Sequence, residues 1–413
     1  MGIKLFAFLG TADYHETEYF FDDGLKDLRT YKTPYTQEAL VEMLGEPELE
    51  VILFITEKAD KENWEPDGKL GLKSRLERIN SKYKAVRIPN GKSNDEIWEI
   101  FKIVYDEIDK KDTIYVDVTQ SFRSIPIIFM SVLNHAKVVK ECEIKRILYG
   151  AYEAAVDGKA PIYDLTLFNQ ITEWSSGVEQ LLSIGECDVF CSIVNKSIKP
   201  ILAEAKGTDE LINRTRECSK YIKEFYTDLK LCRAQSIQKH GKKLYELLSK
   251  IKALNKSQHV TVQPFFNLLE KIEIQVSFFN NNNIIDNTLE CTKLCRDFGH
   301  YQQAYTFLLE NIVNYVCVKA DLDWTQYGAE RKKAENIIRS KYVKECSITG
   351  DEKMIIDNKL KDFTVEMAEL HRNLGEVRND LNHAEFRKGA LPKKKIINNL
   401  DLFIGRFVDL YLK

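Results

Sequence analysis

At 413 residues the chain is too long for one ordinary hydrophobic core, so two or three domains are expected. Hydrophobic residues at 44% and charged residues at 30% make a globular composition and exclude a disordered chain. A net charge of −3 argues against a surface coated in positive charge for long duplex nucleic acid, while leaving room for a local basic site.

The first ten residues, Met-Gly-Ile-Lys-Leu-Phe-Ala-Phe-Leu-Gly, have the apolar density of a short signal segment. They lack a small-residue cleavage site, and Thr11, Asp13, His15 and Glu16 follow at once, so a first strand is the better reading. Further β-rich runs follow at 51–56, 84–89, 113–118, 145–150 and 161–167, and helical patterns intervene at 35–44, 72–80, 94–109 and 124–140. Near-continuous apolar strands separated by helices predict an α/β N-terminal domain, Rossmann-like, with a mostly parallel sheet covered on both faces. Ligands of such sheets bind beyond the carboxyl ends of the strands. Two of those ends carry polar chemistry: Gly10-Thr11-Ala12-Asp13 after the first run and Asp117-Val118-Thr119-Gln120-Ser121-Phe122-Arg123 after the fourth.

From about Ile171 the β-branched runs disappear and Leu, Lys, Glu and Gln dominate a succession of helical periods, which predicts an all-α second half. After Pro161 only Pro200, Pro264 and Pro392 remain. The asparagines at 280–283, continuing to Asn287, predict a loop or insertion. No stretch reaches about 18 consecutive uncharged apolar residues, so no membrane span is expected. The nine cysteines are scattered and odd in number, which predicts free thiols and a cytoplasmic protein.

The last third carries the chemistry. Phe363, Met367, Leu370, Leu374, Val377, Leu381 and Ala384 fall at alternating steps of four and three, an apolar seam that packs against another helix of this chain or of a second copy. On the same helix stands Arg378-Asn379-Asp380-Leu381-Asn382-His383. Arginine is a permanent cation whose planar fork grips phosphate oxygens. Histidine moves protons near neutral pH, and the two suffice for RNA cleavage by the neighbouring 2′-hydroxyl without a metal. Five helical positions correspond to roughly 140° of rotation, so the two side chains meet either at a helix end or across a two-fold axis. Arg387, Lys388, Lys393, Lys394 and Lys395 come directly after and offer either a solvated loop or a phosphate-binding rim.

These segments carry a resemblance. Asp117-Val118-Thr119-Gln120-Ser121-Phe122-Arg123-Ser124-Ile125-Pro126 resembles the D-V-T-H-S-F-R-S-I-P signature of CRISPR-associated CARF proteins, and Phe8-Leu9-Gly10-Thr11 with Tyr14 and Tyr19 resembles the opening of that group. Arg378-Asn379…His383 is similar to the R-N-x-x-x-H motif of HEPN ribonucleases. The combination is similar to the Csx1/Csm6-type effectors, nearest their Csx2-like branch. Gln120 departs from the family by standing where histidine is frequent, which removes a titratable group.

The resemblance implies a CARF-like sensor over 1–168, a helical connector or insertion over 169–290 and a HEPN-like ribonuclease over 291–413. It implies a homodimer with a cyclic oligoadenylate, cyclic tetra- or hexa-adenylate, at the CARF interface and single-stranded RNA as substrate. Gly10, Thr11, Asp13, Thr119, Gln120, Ser121, Phe122 and Arg123 would form the ligand site, with Arg123 either pinning its loop or touching the ligand. His383 would be the acid/base, Arg378 would stabilise the phosphorane and Asn379 would orient the phosphate, with no metal cofactor. Two other classes compete: a CARF-type sensor with a non-catalytic helical regulatory module, and a nucleotide-binding α/β enzyme with an oligomerisation domain. No G-x-G-x-x-G follows the first strand and no P-loop motif is present. Cys187-x₃-Cys191 and Cys291-x₃-Cys295 have one-turn spacing but no completing ligand set, and buried thiols are expected there.

Overall fold

The structure, a computed structural model, describes residues 2–21, 29–120, 125–204, 206, 208–254, 263–343, 346, 348–361 and 363–412. The chain divides into two compact units, Met1–Gln170 and Ile171–Lys413.

The first unit is built on an eight-stranded sheet: β1 (Ile3–Leu9), β2 (Thr17–Phe21), β3 (Thr30–Thr33), β4 (Leu49–Ile55), β5 (Lys82–Arg87), β6 (Thr113–Asp117), β7 (Glu143–Gly150) and β8 (Lys159–Asp164). Its order is β3-β2-β8-β7-β6-β1-β4-β5. Among the described residues, the β2–β3 and β7–β8 strand pairings are antiparallel and the others parallel. Helices α1 (Thr36–Leu44), α2 (Glu57–Ala59), α3 (Leu72–Arg78), α4 (Asn94–Asp106) and α5 (Ile125–Val139) cover it.

The central strands are apolar along their whole length because both of their faces are buried. Leu5, Ala7 and Leu9 of β1 pack with Val51, Leu53 and Ile55 of β4 against Leu40 and Met43 of α1 and Leu72 and Leu76 of α3. The alternate residues Phe6, Phe8, Ile52 and Phe54 face Ile100 and Val104 of α4 and Phe129, Val132 and Leu133 of α5. This period of two sorts one strand into two cores. Ser93 caps α4 by accepting from the Glu96 N–H, and Gly45 ends α1 in the left-handed region at φ 61°.

The runs expected at 3–9, 51–56, 84–89, 113–118, 145–150 and 161–167 are β1, β4, β5, β6, β7 and β8 within two or three residues. β2 and β3 complete the sheet beyond β8, and their sequence, half-exposed in alternation, lacks the continuous apolar run that marked the others. The chain winds from β1 towards β4 and β5 on one side and returns as β6 and β7 on the other. The switch point of the sheet therefore lies between β1 and β6, at the two strand ends singled out by their polar residues.

The second unit is helical: α6 (Thr166–Ile184), which begins in the first unit, then α7 (Asp188–Glu204), α8 (Glu210–Lys230), α9 (Ala234–Leu254), α10 (Gln263–Val276), α11 (Ile284–Asp297), α12 (Tyr301–Lys319), α13 (Lys332–Ser340), α14 (Gly350–Lys359), α15 (Val365–Asn382) and α16 (Lys393–Tyr411). One hydrophobic core runs from Trp174 to Phe407, and position 290 lies inside α11, between the core residues Leu289 and Cys291. α12 is its axis, buried on nearly every side, and its buried Asn311 and Asn314 donate to the Ile285 carbonyl and the Thr288 hydroxyl. It packs against α11, α13, α15 and α16.

Two expectations are corrected here, and one left open is decided. Asn280–Asn283 does form a break, and Asn283 caps α11, but Asn287 lies buried within α11 and donates to Gln238. The apolar seam belongs to this chain's own core: Phe363, Met367, Leu370, Leu374 and Val377 are buried with α12 and α16 and are not a surface awaiting a second copy. Ala384 is not part of the seam; the helix has ended at Asn382 and Ala384 is exposed.

Candidate functional site

At the switch point the chain leaves β1 through Gly10 and folds back on itself. The Gly10 N–H donates to the Tyr14 hydroxyl at 3.0 Å, and Asn63 Nδ2 donates to the carbonyls of Gly10 at 3.0 Å and Ala12 at 2.9 Å. A Cβ on residue 10 would stand 2.7 Å from the Tyr14 hydroxyl and 3.0 Å from Gln120 Oε1, so a larger residue there would displace the Tyr14 hydroxyl that the Gly10 N–H donates to. That approach brings Gln120 to the same mouth as Gly10. The Tyr14 ring lies edge-on to Tyr35 with centroids 5.3 Å apart, and burial pushes its phenol well above the usual range. Thr11 is half-buried, and exposed Asp13 pairs with Lys69 at 3.6 Å.

The end of β6 is held by Asp117, which is completely buried. Its carboxylate accepts from the Thr119 N–H at 2.9 Å and from Gln37 Nε2 at 2.9 Å, and the same Gln37 nitrogen donates to the Phe8 carbonyl at 3.0 Å. Burial pushes the Asp117 carboxyl up to about 6, against the opposing pull of these hydrogen bonds. The Thr119 hydroxyl accepts from the Gly150 N–H at 2.8 Å. Asp117, Gln37 and Thr119 thus tie the ends of β1, β6 and β7 to the start of α1. Of the residues expected to form the ligand site, Gly10, Thr11 and Gln120 lie together at the mouth. Thr119 is engaged in holding strand ends, and Ser121, Phe122 and Arg123 lie outside the described residues.

Gln37, Asn63 and Gly150 were not legible as site residues. Asn63 sits in the charged run Lys61-Glu62-Asn63-Trp64, and only its burial and its two carbonyl partners reveal its role.

In the second unit the Arg/His motif occupies the end of α15. Thr364 caps the start of this helix by accepting from the Met367 N–H, and His383 is its C-terminal cap, its N–H bonding to the carbonyls of Asn379 and Asp380 at 3.1 and 3.2 Å. The imidazole and Asn379 are exposed. Arg378 is half-buried, and its Nε is enclosed without a hydrogen-bond partner. Two turns earlier on the same face, burial, reinforced by the positive charge of Arg378, holds His371 down at about 4. His371 therefore stays neutral at physiological pH.

Three bonds fix the segment beyond α15. Gln302 Nε2 of α12 donates to Asn382 Oδ1 at 2.8 Å, the Tyr305 hydroxyl of α12 donates to the Ile396 carbonyl at 2.7 Å, and buried Asp380 accepts from the Leu391 N–H at 3.0 Å. The stretch from His383 to Pro392 is thereby held at both ends. Arg387, Lys388, Lys393, Lys394 and Lys395 are all exposed along it and on the first turn of α16.

Cys187, Cys191, Cys291 and Cys295 are buried free thiols, and among the described residues no group of three or more His, Cys, Asp or Glu side chains converges as a metal set. No helix among the described residues is long and apolar enough to cross a membrane.

Residues 4–153 match the domain family described as CRISPR system endoribonuclease Csx1, CARF domain. CRISPR-associated protein MJ1674 of Methanocaldococcus jannaschii is 27% identical over 165 residues, covering 34% of this chain and 26% of that protein. The chain thus spans about a quarter of the length of this curated relative. Among solved structures, Enterococcus italicus Csm6 bound to cyclic hexa-2′-fluoro-hexa-dAMP superposes with a TM-score of 0.44 at 13% identity, over 100% of this chain and 94% of that one. The matched segment takes in the whole switch point, from Gly10 to Gln120 and Gly150, and the first unit of this chain carries a CARF domain of the Csx1 type.

Proposed function

We propose that the protein is an ancillary effector of type III CRISPR immunity: a homodimeric, metal-independent endoribonuclease, activated by a cyclic oligoadenylate at its CARF unit. The observation that carries this reading is the pairing, in one chain, of a CARF domain with an exposed His383 at a helix end five residues after a half-buried Arg378. In this reading residues 1–168 are the sensor, 169–290 a helical connector and 291–413 the HEPN-like nuclease.

The chemistry follows from the residue types. The 2′-oxygen of the substrate attacks the adjacent phosphorus as an imidazole removes its proton. The P–O5′ bond breaks as a proton is returned to the leaving oxygen, giving a 2′,3′-cyclic phosphate and a free 5′-hydroxyl. His383 moves these protons. Arg378 and Asn379 face the charge that develops on the phosphorane. Two copies of the motif meeting across a two-fold axis would supply one histidine as base and the other as acid, with one even-membered cyclic ligand shared by two CARF units.

The test is cleavage of a single-stranded RNA with and without cyclic tetra- or hexa-adenylate, in buffer and in EDTA. Activator-dependent cleavage that persists in EDTA is expected. Binding of the activator with no cleavage would instead make the protein a sensor whose helical unit is regulatory.

A further inference from the structure

The segment after His383 has a conformation its sequence does not favour. Ala384 and Glu385 are consecutive non-glycine residues in the left-handed region, at φ 48° and 70°. The Phe386 N–H closes back onto the His383 carbonyl at 2.9 Å. Phe386 itself is 95% exposed, the most exposed large apolar side chain among the described residues. Arg387 and Lys388 adjoin it, and the exposed Lys393, Lys394 and Lys395 lie just beyond. With Asn382 bonded to α12 and Leu391 bonded to Asp380, the tight turn is part of a fixed frame and not a frayed end.

Resting on the nuclease reading above, we propose that Phe386 is the platform on which a base of single-stranded RNA stacks beside His383, with the flanking cations holding the adjoining phosphates. An exposed phenyl ring followed by two exposed cations and then three more matches the two chemistries of a single strand, flat bases and a charged backbone. A duplex hides its base faces, so the platform selects unpaired RNA. Because stacking is nearly independent of base identity, it positions a nucleotide without specifying which one.

The experiment uses the full-length chain in a His383→Ala background, so that binding is read without cleavage. Affinity is measured for a single-stranded oligoribonucleotide and for an abasic ribose-phosphate oligomer of the same length. Phe386→Ala should weaken RNA binding by about 5- to 150-fold, as loss of one stacked base does. Phe386→Trp should retain it, and binding of the abasic oligomer should be the same in all three proteins. The salt dependence should not change in Phe386→Ala, whereas Arg387→Ala with Lys388→Ala should reduce its slope by about 0.7 for each phosphate left without its cation. RNA affinity of Phe386→Ala within twofold of the parent, in a protein whose His383-containing form cleaves RNA, overturns the platform and leaves the nuclease reading standing. A changed oligomeric mass in Phe386→Ala would make the ring a subunit contact and also overturns it. If the parent neither binds nor cleaves RNA, both readings fall.

Discussion

Replacing Asp117 by Asn tests whether the strand-end mouth is held by a carboxyl whose ionisation opposes burial. The carboxyl is fully buried and titrates at about 6 in place, against 3.8 when free. A raised folded value means that the native state holds its proton more tightly than the unfolded chain. The stabilisation from the protonated form is complete below pH 3.8 and is lost as the pH rises through 6. Linkage between those values makes the loss roughly 2 kcal/mol between pH 4 and 7. Asparagine keeps an acceptor for the Thr119 N–H but turns a donor towards Gln37, at a pH-independent cost of about 1 kcal/mol. The variant should therefore be the less stable protein at pH 4 and equal or better at pH 7. Hydrogen exchange in peptides covering β1 and β6 isolates the first unit from the helical one. The ratio of protection between wild type and variant should fall about 30-fold across that range. A ratio that stays constant within threefold would refute the burial argument and place water against the Asp117 carboxyl.

Other measurements probe the remaining parts. His383→Ala and Arg378→Ala should each reduce activator-dependent RNA cleavage by roughly 10²- to 10⁴-fold, with binding of the activator by calorimetry unchanged; cleavage within threefold of wild type in both would end the assignment. Gly150→Ala would put a Cβ 2.6 Å from Thr36 Cγ2 between β7 and α1, and should destabilise the first unit by about 1–3 kcal/mol in urea titrations. Leu370→Ala, at a fully buried seam position, should cost about 2–5 kcal/mol without altering the oligomeric mass. A shift to monomer at unchanged stability would return the seam to a subunit interface. Thr11→Leu at the mouth should weaken activator binding; unchanged affinity by calorimetry would move the ligand away from the β1 end.

Much of the first unit was legible because its central strands are buried on both faces and so carry unbroken apolar runs. β2 and β3 escaped for the same reason: at the far edge of the sheet their alternate residues reach solvent, and five or four positions are too few for a period of two to stand out. The location of the mouth could be read from Gly10 and Asp117, since polar residues directly after apolar strands mark loops at carboxyl ends. The part each residue plays there could not be read. Thr119 looks like a phosphate ligand in sequence, yet its hydroxyl meets the Gly150 N–H 31 positions away, and Asn63 looks like surface yet braces Gly10. The seam of α15 was correctly periodic, but a heptad pattern says only that a helix is covered, and here α12 and α16 of the same chain do the covering. His371 was indistinguishable from any solvated histidine until burial beside Arg378 set it apart from His383.

The clamping of the 383–392 segment to α12 has an evolutionary consequence. Gln302 holds the last residue of α15 and Tyr305 holds the first turn of α16, so one rod sets the distance between the two ends of the loop. Residues added or exchanged between those anchors, around Gly389 with its open surroundings, bulge into solvent and leave the position of His383 unchanged. Such a loop is a replaceable part. A lineage can lengthen this short span or recolour its charge while the two helix ends that bracket it stay where α12 holds them.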